Sequence, residues 1–141
     1  MQLQQRNKYI QNTIQTATPG QLLIMLYDGA IRFCRQGIEA IKEQRYSDAN
    51  TSLIKVQDII SEFTITIDRS NPISENLLKL YDYFNMRLIE ANVKKNTEPA
   101  EEVLAHLIEL KETWMQAAKE FNQAVGQSNG SNYKQTQSTV V

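Results

Sequence analysis

Residues 9–33, YIQNTIQTATPGQLLIMLYDGAIRF, contain the clearest helix start in the chain. Thr18 can accept the first hydrogen bond of a helix, Pro19 suits its first position, and Gln21 can complete a capping box. Pro19 also disfavours the helical conformation for the residue before it, which sharpens the boundary. The stretch therefore predicts a long helix that begins at residue 19.

Residues 22–27, LLIMLY, are six consecutive apolar or aromatic residues within this helix. Six in a row point in every direction around a helix axis, so one side can face a core while the opposite side remains apolar. That opposite side must be covered by another part of the chain or by another molecule. The apolar surplus is the first indication of a binding function.

The composition restricts the partners. The chain has 141 residues, 15 basic and 16 acidic, and a net charge of -1 with the signs interspersed. We therefore expect one domain and no nucleic-acid partner. No apolar run approaches the roughly 20 residues that span a bilayer, and the first residues resemble no secretory signal. The predicted location is cytoplasmic, without membrane insertion.

Apolar residues recur at helical spacing through most of the chain and predict an all-α fold. Four helices are expected, over about residues 19–44, 48–67, 72–95 and 96–125, with caps at Ser47 and Asn71. Short connections between helices of this length predict an elongated antiparallel up-down four-helix bundle. We expect residues 1–17 to form an N-terminal lid, residues 18–125 the bundle, and residues 126–141 a disordered tail.

One stripe on each helix is predicted to face the core, and the stripe of the second helix repeats like a coiled-coil seam. The segment 63–67 alternates like a strand but is expected to stay helical because the seam runs through it. The predicted inward positions are Leu22 or Leu23, Leu26, Ala30, Phe33, Gly37 and Ile41; Ala49, Leu53, Val56, Ile60, Phe63 and Ile67; Leu77, Leu80 or Tyr81, Phe84, Leu88 and Ala91; and Val103, Leu107, Leu110, Trp114, Ala117, Phe121 and Val125.

The residues that usually carry chemistry are sparse. His106 is the single histidine, so two Glu-x-x-His motifs for a di-iron site cannot be assembled. Cys34 has no base at a recognisable spacing and suits a small core position. No glycine-rich phosphate loop is present. We expect no enzyme, no metal and no cofactor.

Apolar residues remain outside the stripes, for example Ile54, Ile59 and Ile65 on the second helix. Tight packing under an N-terminal lid would account for them. A groove for an amphipathic helix would also account for them, and a lid could cover that groove until a partner displaces it. A bundle that self-associates through this surface is the alternative from a different functional class.

Four segments of the chain form an ordered set of motifs: TATPGQLLIMLYDGAIRF (16–33), ANTSLIKVQDIISEF (49–63), NLLKLYDYFNMRLIEAN (76–92) and EVLAHLIELKETW (102–114). Taken in this order, they resemble the FliS family of flagellin export chaperones. Val56 and Phe63 stand where the family usually has Ala and Leu. The turn at Asn71 and Pro72 replaces a common Gly-Gly pair.

The resemblance implies a bundle that binds the C-terminal region of flagellin, prevents its premature polymerisation, and delivers it to the type III export gate through FlhA. It implies no nucleotide or metal, and the bundle itself is expected to be a monomer or a weak homodimer. Tyr9 and Ile10 are candidates for contact with the export gate or for the lid. The candidate client-binding residues are Ile54, Ile59, Leu78, Tyr81, Asp82, Asn85, Ile89 and Asn92.

Overall fold

A computed structural model describes residues 17–128 and contains four helices. These are α1 (Pro19–Lys42), α2 (Tyr46–Thr66), α3 (Ser74–Lys94) and α4 (Thr97–Ser128), with no strand in the described range. The predicted all-α four-helix fold is confirmed. The predicted lid, up to residue 16, and the tail from residue 129 lie outside the described residues. Residues 126–128, predicted as tail, are the end of α4.

The start of α1 forms as the sequence predicts. The Thr18 hydroxyl accepts a hydrogen bond from the Gln21 backbone N–H at 3.1 Å, and the Gln21 side-chain oxygen accepts one from the Thr18 N–H at 2.9 Å. Pro19 occupies the first helical position, where its missing N–H leaves no bond unmade. The capping box therefore fixes where the first helix enters the bundle.

The predicted hydroxyl cap of α2 is wrong. Gln44 adopts a left-handed conformation, φ 60°, and the Arg45 N–H donates to the Ala40 carbonyl at 2.8 Å. This tight connection reverses the direction of the chain over few residues. As a result, α2 begins at Tyr46, and Ser47 lies inside the helix. No side chain caps this helix start.

The predicted start of α3 is also wrong. The Asn71 side chain accepts a hydrogen bond from the Ile73 N–H at 3.0 Å, which closes a local turn. The helix begins only after this turn, at Ser74. Asn71 therefore shapes the connection between α2 and α3 and does not cap a helix.

The helices form a ring in which α1 packs against α2 and α4, and α3 packs against the same two helices. A chain of aromatic rings crosses this ring of helices. Tyr27 stacks on Phe63 at 4.4 Å between centroids, and Phe63 lies 5.3 Å from Tyr81. Phe84 continues from Tyr81 to His106 on α4, with centroid distances of 6.3 and 5.7 Å. One core thus connects all four helices.

The inner stripe of α1 differs from the prediction at two turns. Tyr27 and Cys34 are fully buried, whereas Leu26 and Phe33 are only partly buried. The helix is therefore rotated so that its inner side includes Tyr27 and Cys34. The six core positions predicted for the second helix are all buried, and the last of them, Ile67, directly follows α2.

The inner stripe of α4 is buried only in its first half. Val103 and Leu107 are buried, but Phe121 and Val125 are 43% and 44% exposed. With 32 residues, α4 is about 48 Å long, whereas the 21 residues of α3 span about 32 Å. The last turns of α4 extend beyond the ends of α2 and α3, so the predicted inward position of its later residues is wrong.

Candidate partner-binding face

The outer surface between α2 and α3 is the candidate binding site, and one hydrogen bond gives its register. The Asn92 side-chain amide donates to the Asn50 side-chain oxygen at 2.6 Å. Because the two helices are antiparallel, one turn away from this pair lie Ile54 on α2 and Ile89 on α3. Ile54 and Ile89 are therefore at the same level of the bundle.

Large apolar side chains are exposed on this surface. Ile54 is 42% exposed and Ile89 is 50% exposed. Met86 and Val93, at 56% and 70%, share the flank of α3 that carries Ile89. We call this surface the α2–α3 face, and it consists of Asn50, Ile54, Leu78, Asp82, Asn85, Met86, Ile89, Asn92 and Val93.

Polar groups border the apolar residues of the α2–α3 face. Asp82 is exposed, and Asn85 is partly buried. The Asn85 side-chain oxygen is inaccessible to solvent and accepts no hydrogen bond from the described residues. A buried acceptor without a donor costs free energy, typically about 1–3 kcal/mol. Asn85 is therefore a polar group whose side chain would gain from a rearrangement that supplies a donor.

Tyr81 does not lie on the α2–α3 face, contrary to its predicted surface role. Its side chain is 1% exposed, and its hydroxyl is hydrogen-bonded to the Tyr27 hydroxyl at 2.8 Å. Burial raises the pKa of Tyr81 above its ordinary range, so the group is neutral. The structure gives Tyr81 a core position with no surface for a partner.

The other predicted residues are divided between two surfaces. Ile59 is partly buried and points toward Gly29 of α1. A Cβ atom placed on Gly29 would lie 3.4 Å from the Ile59 Cδ1 atom. Leu78 is partly buried against the core at the edge of the α2–α3 face. Tyr9 and Ile10 lie outside the described residues. The structure therefore brings together six of the eight predicted client-binding residues, listed as Ile54, Leu78, Asp82, Asn85, Ile89 and Asn92.

Sequence reasoning did not include Met86 and Asn50. Met86 lies three residues before Ile89 and four after Asp82, so the helical spacing contained the signal. Asn50 could not be found in this way, because its position depends on the register between two helices.

The opposite flank of α3 is fastened to α4 by polar groups. Glu102 accepts hydrogen bonds from the Tyr83 hydroxyl at 2.9 Å and from the Arg87 guanidinium at 2.7 Å, and Arg87 also donates to Glu90 at 2.7 Å. The Arg87 bond holds the pKa of Glu102 below its usual value, and the bond to Glu102 raises the pKa of Tyr83. This network holds α3 so that its other flank remains on the α2–α3 face.

Cys34 and His106, the two residues considered for catalysis, both occupy positions that serve packing. Cys34 is fully buried, its thiol donates to the Ala100 carbonyl at 3.4 Å, and burial raises its pKa to about 12. His106 lies over the Phe84 ring. Within residues 17–128 no group of three His, Cys, Asp or Glu side chains could hold a metal ion. No helix in the same range is long and apolar enough to span a membrane.

Comparison with known proteins identifies the family. Residues 2–121 match the family described as "Flagellar protein FliS". The chain belongs to the FliS family. The "Flagellar secretion chaperone FliS" of Bacillus subtilis (strain 168) is 38% identical over 109 residues, which cover 77% of this chain and 82% of that protein. The protein of the same name from Salmonella typhimurium is 32% identical over 114 residues, 76% of this chain and 82% of the relative.

The "Flagellar secretion chaperone FliSB" of Pseudomonas aeruginosa is 29% identical over 107 residues, 74% of this chain and 85% of its own. The FliS relatives are thus covered over most of their length, and the family resemblance seen in the four sequence segments is confirmed. The names of these three relatives describe flagellar secretion chaperones.

Proposed function

We propose that this protein is a cytoplasmic export chaperone for flagellin. It binds the C-terminal region of flagellin, prevents premature polymerisation, and delivers the client to the type III export gate through the component FlhA. The α2–α3 face is the client-binding surface. The family assignment supports the chaperone role, and the exposed apolar side chains of this face support its location.

The observation that carries the proposal is the pairing of exposed Ile54 with exposed Ile89 across antiparallel helices. Met86 and Val93 extend the apolar surface along α3. Apolar anchors spaced by helical turns are what an amphipathic helix requires of a groove. A monomeric bundle gains nothing by exposing these side chains together, whereas a chaperone needs them for its client.

The binding mechanism follows from the surface. An amphipathic client segment buries its apolar side on the α2–α3 face and becomes ordered as it binds. Ordering the segment consumes part of the interaction free energy, so affinity per buried area is modest and the client can be released. Asn85, whose side-chain oxygen accepts no hydrogen bond within residues 17–128, can reorient toward a polar group of the client. No nucleotide or metal takes part.

The N-terminal residues have two candidate roles in this proposal. Tyr9 and Ile10 either contact the export gate or cover apolar surface until the client arrives. They lie nine and eight residues before Thr18, and the family resemblance supports the contact with the export gate.

Calorimetric titration with the C-terminal segment of the organism's own flagellin tests the proposal, with circular dichroism recorded before and after. We expect saturable binding, a negative heat-capacity change and a gain of helix. The control is the same segment with its apolar anchors changed to Ser, which should not bind. A folded protein that ignores the native segment contradicts the proposal, and a concentration-dependent dimer in sedimentation would then favour the self-associating bundle.

A further inference from the structure

A small pocket lies at the end of the α2–α3 face, where α2 begins and α3 ends. Its volume is about 270 Å³, and we call it the Lys95 pocket. It is continuous with the α2–α3 face, because Asn50 and Asn92 belong to both. Its lining consists of Ile41, Tyr46, Ala49, Asn50, Asn92, Val93 and Lys95.

The lining has an unbalanced charge. Among the described residues, the lining consists of one cation, two side-chain amides, one tyrosine and apolar groups, with no carboxylate. The Asn50 oxygen is occupied by the bond from Asn92, so the NH₂ group of Asn50 is left to donate. These groups favour an anion that sits beside an apolar side chain.

Lys95 differs from the other cations at this end of the bundle. Lys42 lies 4.0 Å from Glu101, Arg45 pairs with two acidic residues, and Lys94 lies 3.4 Å from Glu90. Lys95 forms no ion pair within residues 17–128, and its ammonium lies 5.2 Å from the centre of the Tyr46 ring. Lys95 is thus a cation that lines the pocket and has no neutralising carboxylate among the described residues.

The backbone at Lys95 provides a second observation. Lys95 ends α3 in the left-handed conformation, φ 54° and ψ 44°, with its N–H bonded to the Ala91 carbonyl. Glycine or asparagine suits this position better than lysine does. The left-handed backbone therefore disfavours lysine at this position, and the lysine side chain reaches over Tyr46. A residue kept in an unfavourable backbone conformation beside a pocket indicates that its side chain has a function there.

We propose that the Lys95 pocket binds a carboxylate of the client, adjacent to one of its apolar side chains. The ammonium of Lys95 and the Asn50 amide contact the carboxylate, and Ile41, Ala49 and Val93 receive the apolar group. The carboxylate is either the free chain end of the client or an acidic side chain. This inference rests on the proposed function, since it assigns a role to one end of the client-binding surface.

The pocket also gives the bound client a direction. Lys95 lies at one end of the α2–α3 face, and Asp82 lies 13 residues earlier on α3, about 20 Å away along the helix axis. A bound helix prefers a cation near its C-terminal end and an anion near its N-terminal end. The client helix therefore runs parallel to α3, with its carboxyl end toward Lys95.

Two substitutions of the same residue test the proposal in the full-length protein. Lys95→Met removes the charge and keeps most of the length, and Lys95→Gly removes the side chain but suits the left-handed backbone. Binding of the C-terminal flagellin peptide with a free carboxylate should weaken roughly three- to fivefold in both variants, as expected for one exposed charge pair. Lys119→Met on α4 is the matched control and should bind like the parent.

Lys95→Gly separates a binding role from a structural role. We expect this variant to be at least as resistant to urea as the parent, yet to bind the peptide more weakly. Raising the salt concentration should reduce the difference between parent and variant, because screening weakens the same charge pair.

Modified peptides identify the source of the carboxylate. If amidation of the peptide's C-terminus removes the effect of Lys95→Met, the chain end occupies the pocket. If the effect survives amidation but is lost when the acidic side chains of the peptide are changed to amides, a side chain occupies it. If both Lys95 variants bind the peptide like the parent while Ile89→Asp binds it more weakly, the proposed role of the Lys95 pocket is overturned. The proposed function then remains intact. Failure of the peptide to bind the parent protein overturns both.

Discussion

The hydroxyl groups of Tyr27 and Tyr81 meet inside the bundle at 2.8 Å and join α1 to α3 across the core. These helices are not neighbours in the ring, since each packs against α2 and α4. Burial raises the pKa of both tyrosines, so the pair is neutral and one hydroxyl donates to the other. The bond gives the buried Tyr81 hydroxyl a hydrogen-bond partner.

Replacing both partners of this pair should therefore cost less than the sum of the two single replacements. Tyr27→Phe leaves the Tyr81 hydroxyl without its partner and should reduce the free energy of unfolding by about 1–3 kcal/mol. The double variant with Tyr81→Phe should be destabilised by less than the sum of the single variants. Urea unfolding followed by circular dichroism measures all four proteins. Strictly additive losses would show that the bond contributes no coupling.

Two glycines of α1 should respond in opposite ways to alanine. A Cβ atom at Gly37 would lie 2.6 Å from Leu53 Cδ2 and 2.9 Å from Cγ, and Leu53 is fully buried. Gly37→Ala should therefore destabilise the fold by about 1–3 kcal/mol.

Gly29→Ala is the matched control, because its Cβ would meet only Ile59 Cδ1, at an ordinary 3.4 Å. The gain in helix propensity, up to about 1 kcal/mol, should leave this variant unchanged or more stable. Thermal unfolding of the two variants measures the difference. Equal stability of the two would show that the close approach of α2 at Gly37 is relaxed in solution.

Neighbouring residues of α3 should separate binding from folding. Ile89 is half exposed, so Ile89→Asp should weaken flagellin binding while the change in unfolding free energy stays near 0.5 kcal/mol or below. Leu88 is fully buried, and Leu88→Ala should cost about 2–5 kcal/mol. Calorimetric titration and urea unfolding of both variants provide the two readouts. A loss of helicity in Ile89→Asp would place Ile89 in the core.

Acid should loosen the contact between α3 and α4. The Arg87 bond lowers the pKa of Glu102 from its ordinary 4.5, so its stabilisation is complete above about pH 4.5 and is lost as pH falls through the lower folded value. Glu102→Gln should be less stable than the parent at pH 7, and the difference should shrink at lower pH. Thermal unfolding from pH 7 to pH 3 measures this, with the exposed Glu112→Gln as control. A difference that is independent of pH would contradict the assignment.

The thiol of Cys34 should be inert in the folded protein. Its burial and its pKa of about 12 leave almost no thiolate at pH 8. A disulfide reagent should label Cys34 only as fast as the bundle opens, and at once in denaturant. Rapid labelling under native conditions would show that the α1–α4 contact opens readily.

The inward stripe of α1 illustrates which buried positions helical spacing predicts and which it does not. Leu23, Tyr27, Ala30, Cys34, Gly37 and Ile41 have the same 4-3 spacing as the correctly predicted seam of α2. The prediction placed Leu26 and Phe33 inward, whereas the structure buries Tyr27 and Cys34. The 4-3 spacing was visible in the sequence. The burial of Tyr27, however, depends on the Tyr81 hydroxyl of α3 as its hydrogen-bond partner, and the pattern of a single helix does not reveal that partner.

The sequence pattern likewise located only part of the candidate binding site. Spacing along α3 placed Asn85 and Asn92 on one flank, and the family resemblance added Asp82 and Ile89 to the candidates. Spacing was insufficient for Ile59, which turns toward α1, and for the Lys95 pocket, which needs the register between α2 and α3. Likewise, the periodicity of α4 continues past the point where its partner helices end. Tertiary geometry decides these cases.

The order of the helices around the ring has a kinetic consequence. Three of its four contacts join helices that are consecutive in the chain, and only the contact between α1 and α4 joins distant segments. Topologies dominated by local contacts fold in microseconds to milliseconds. Closure of α1 onto α4, which brings Cys34 to Ala100, carries the largest loop-closure entropy. The newly synthesised chain can thus complete its first three helices early and close the ring as soon as α4 is available.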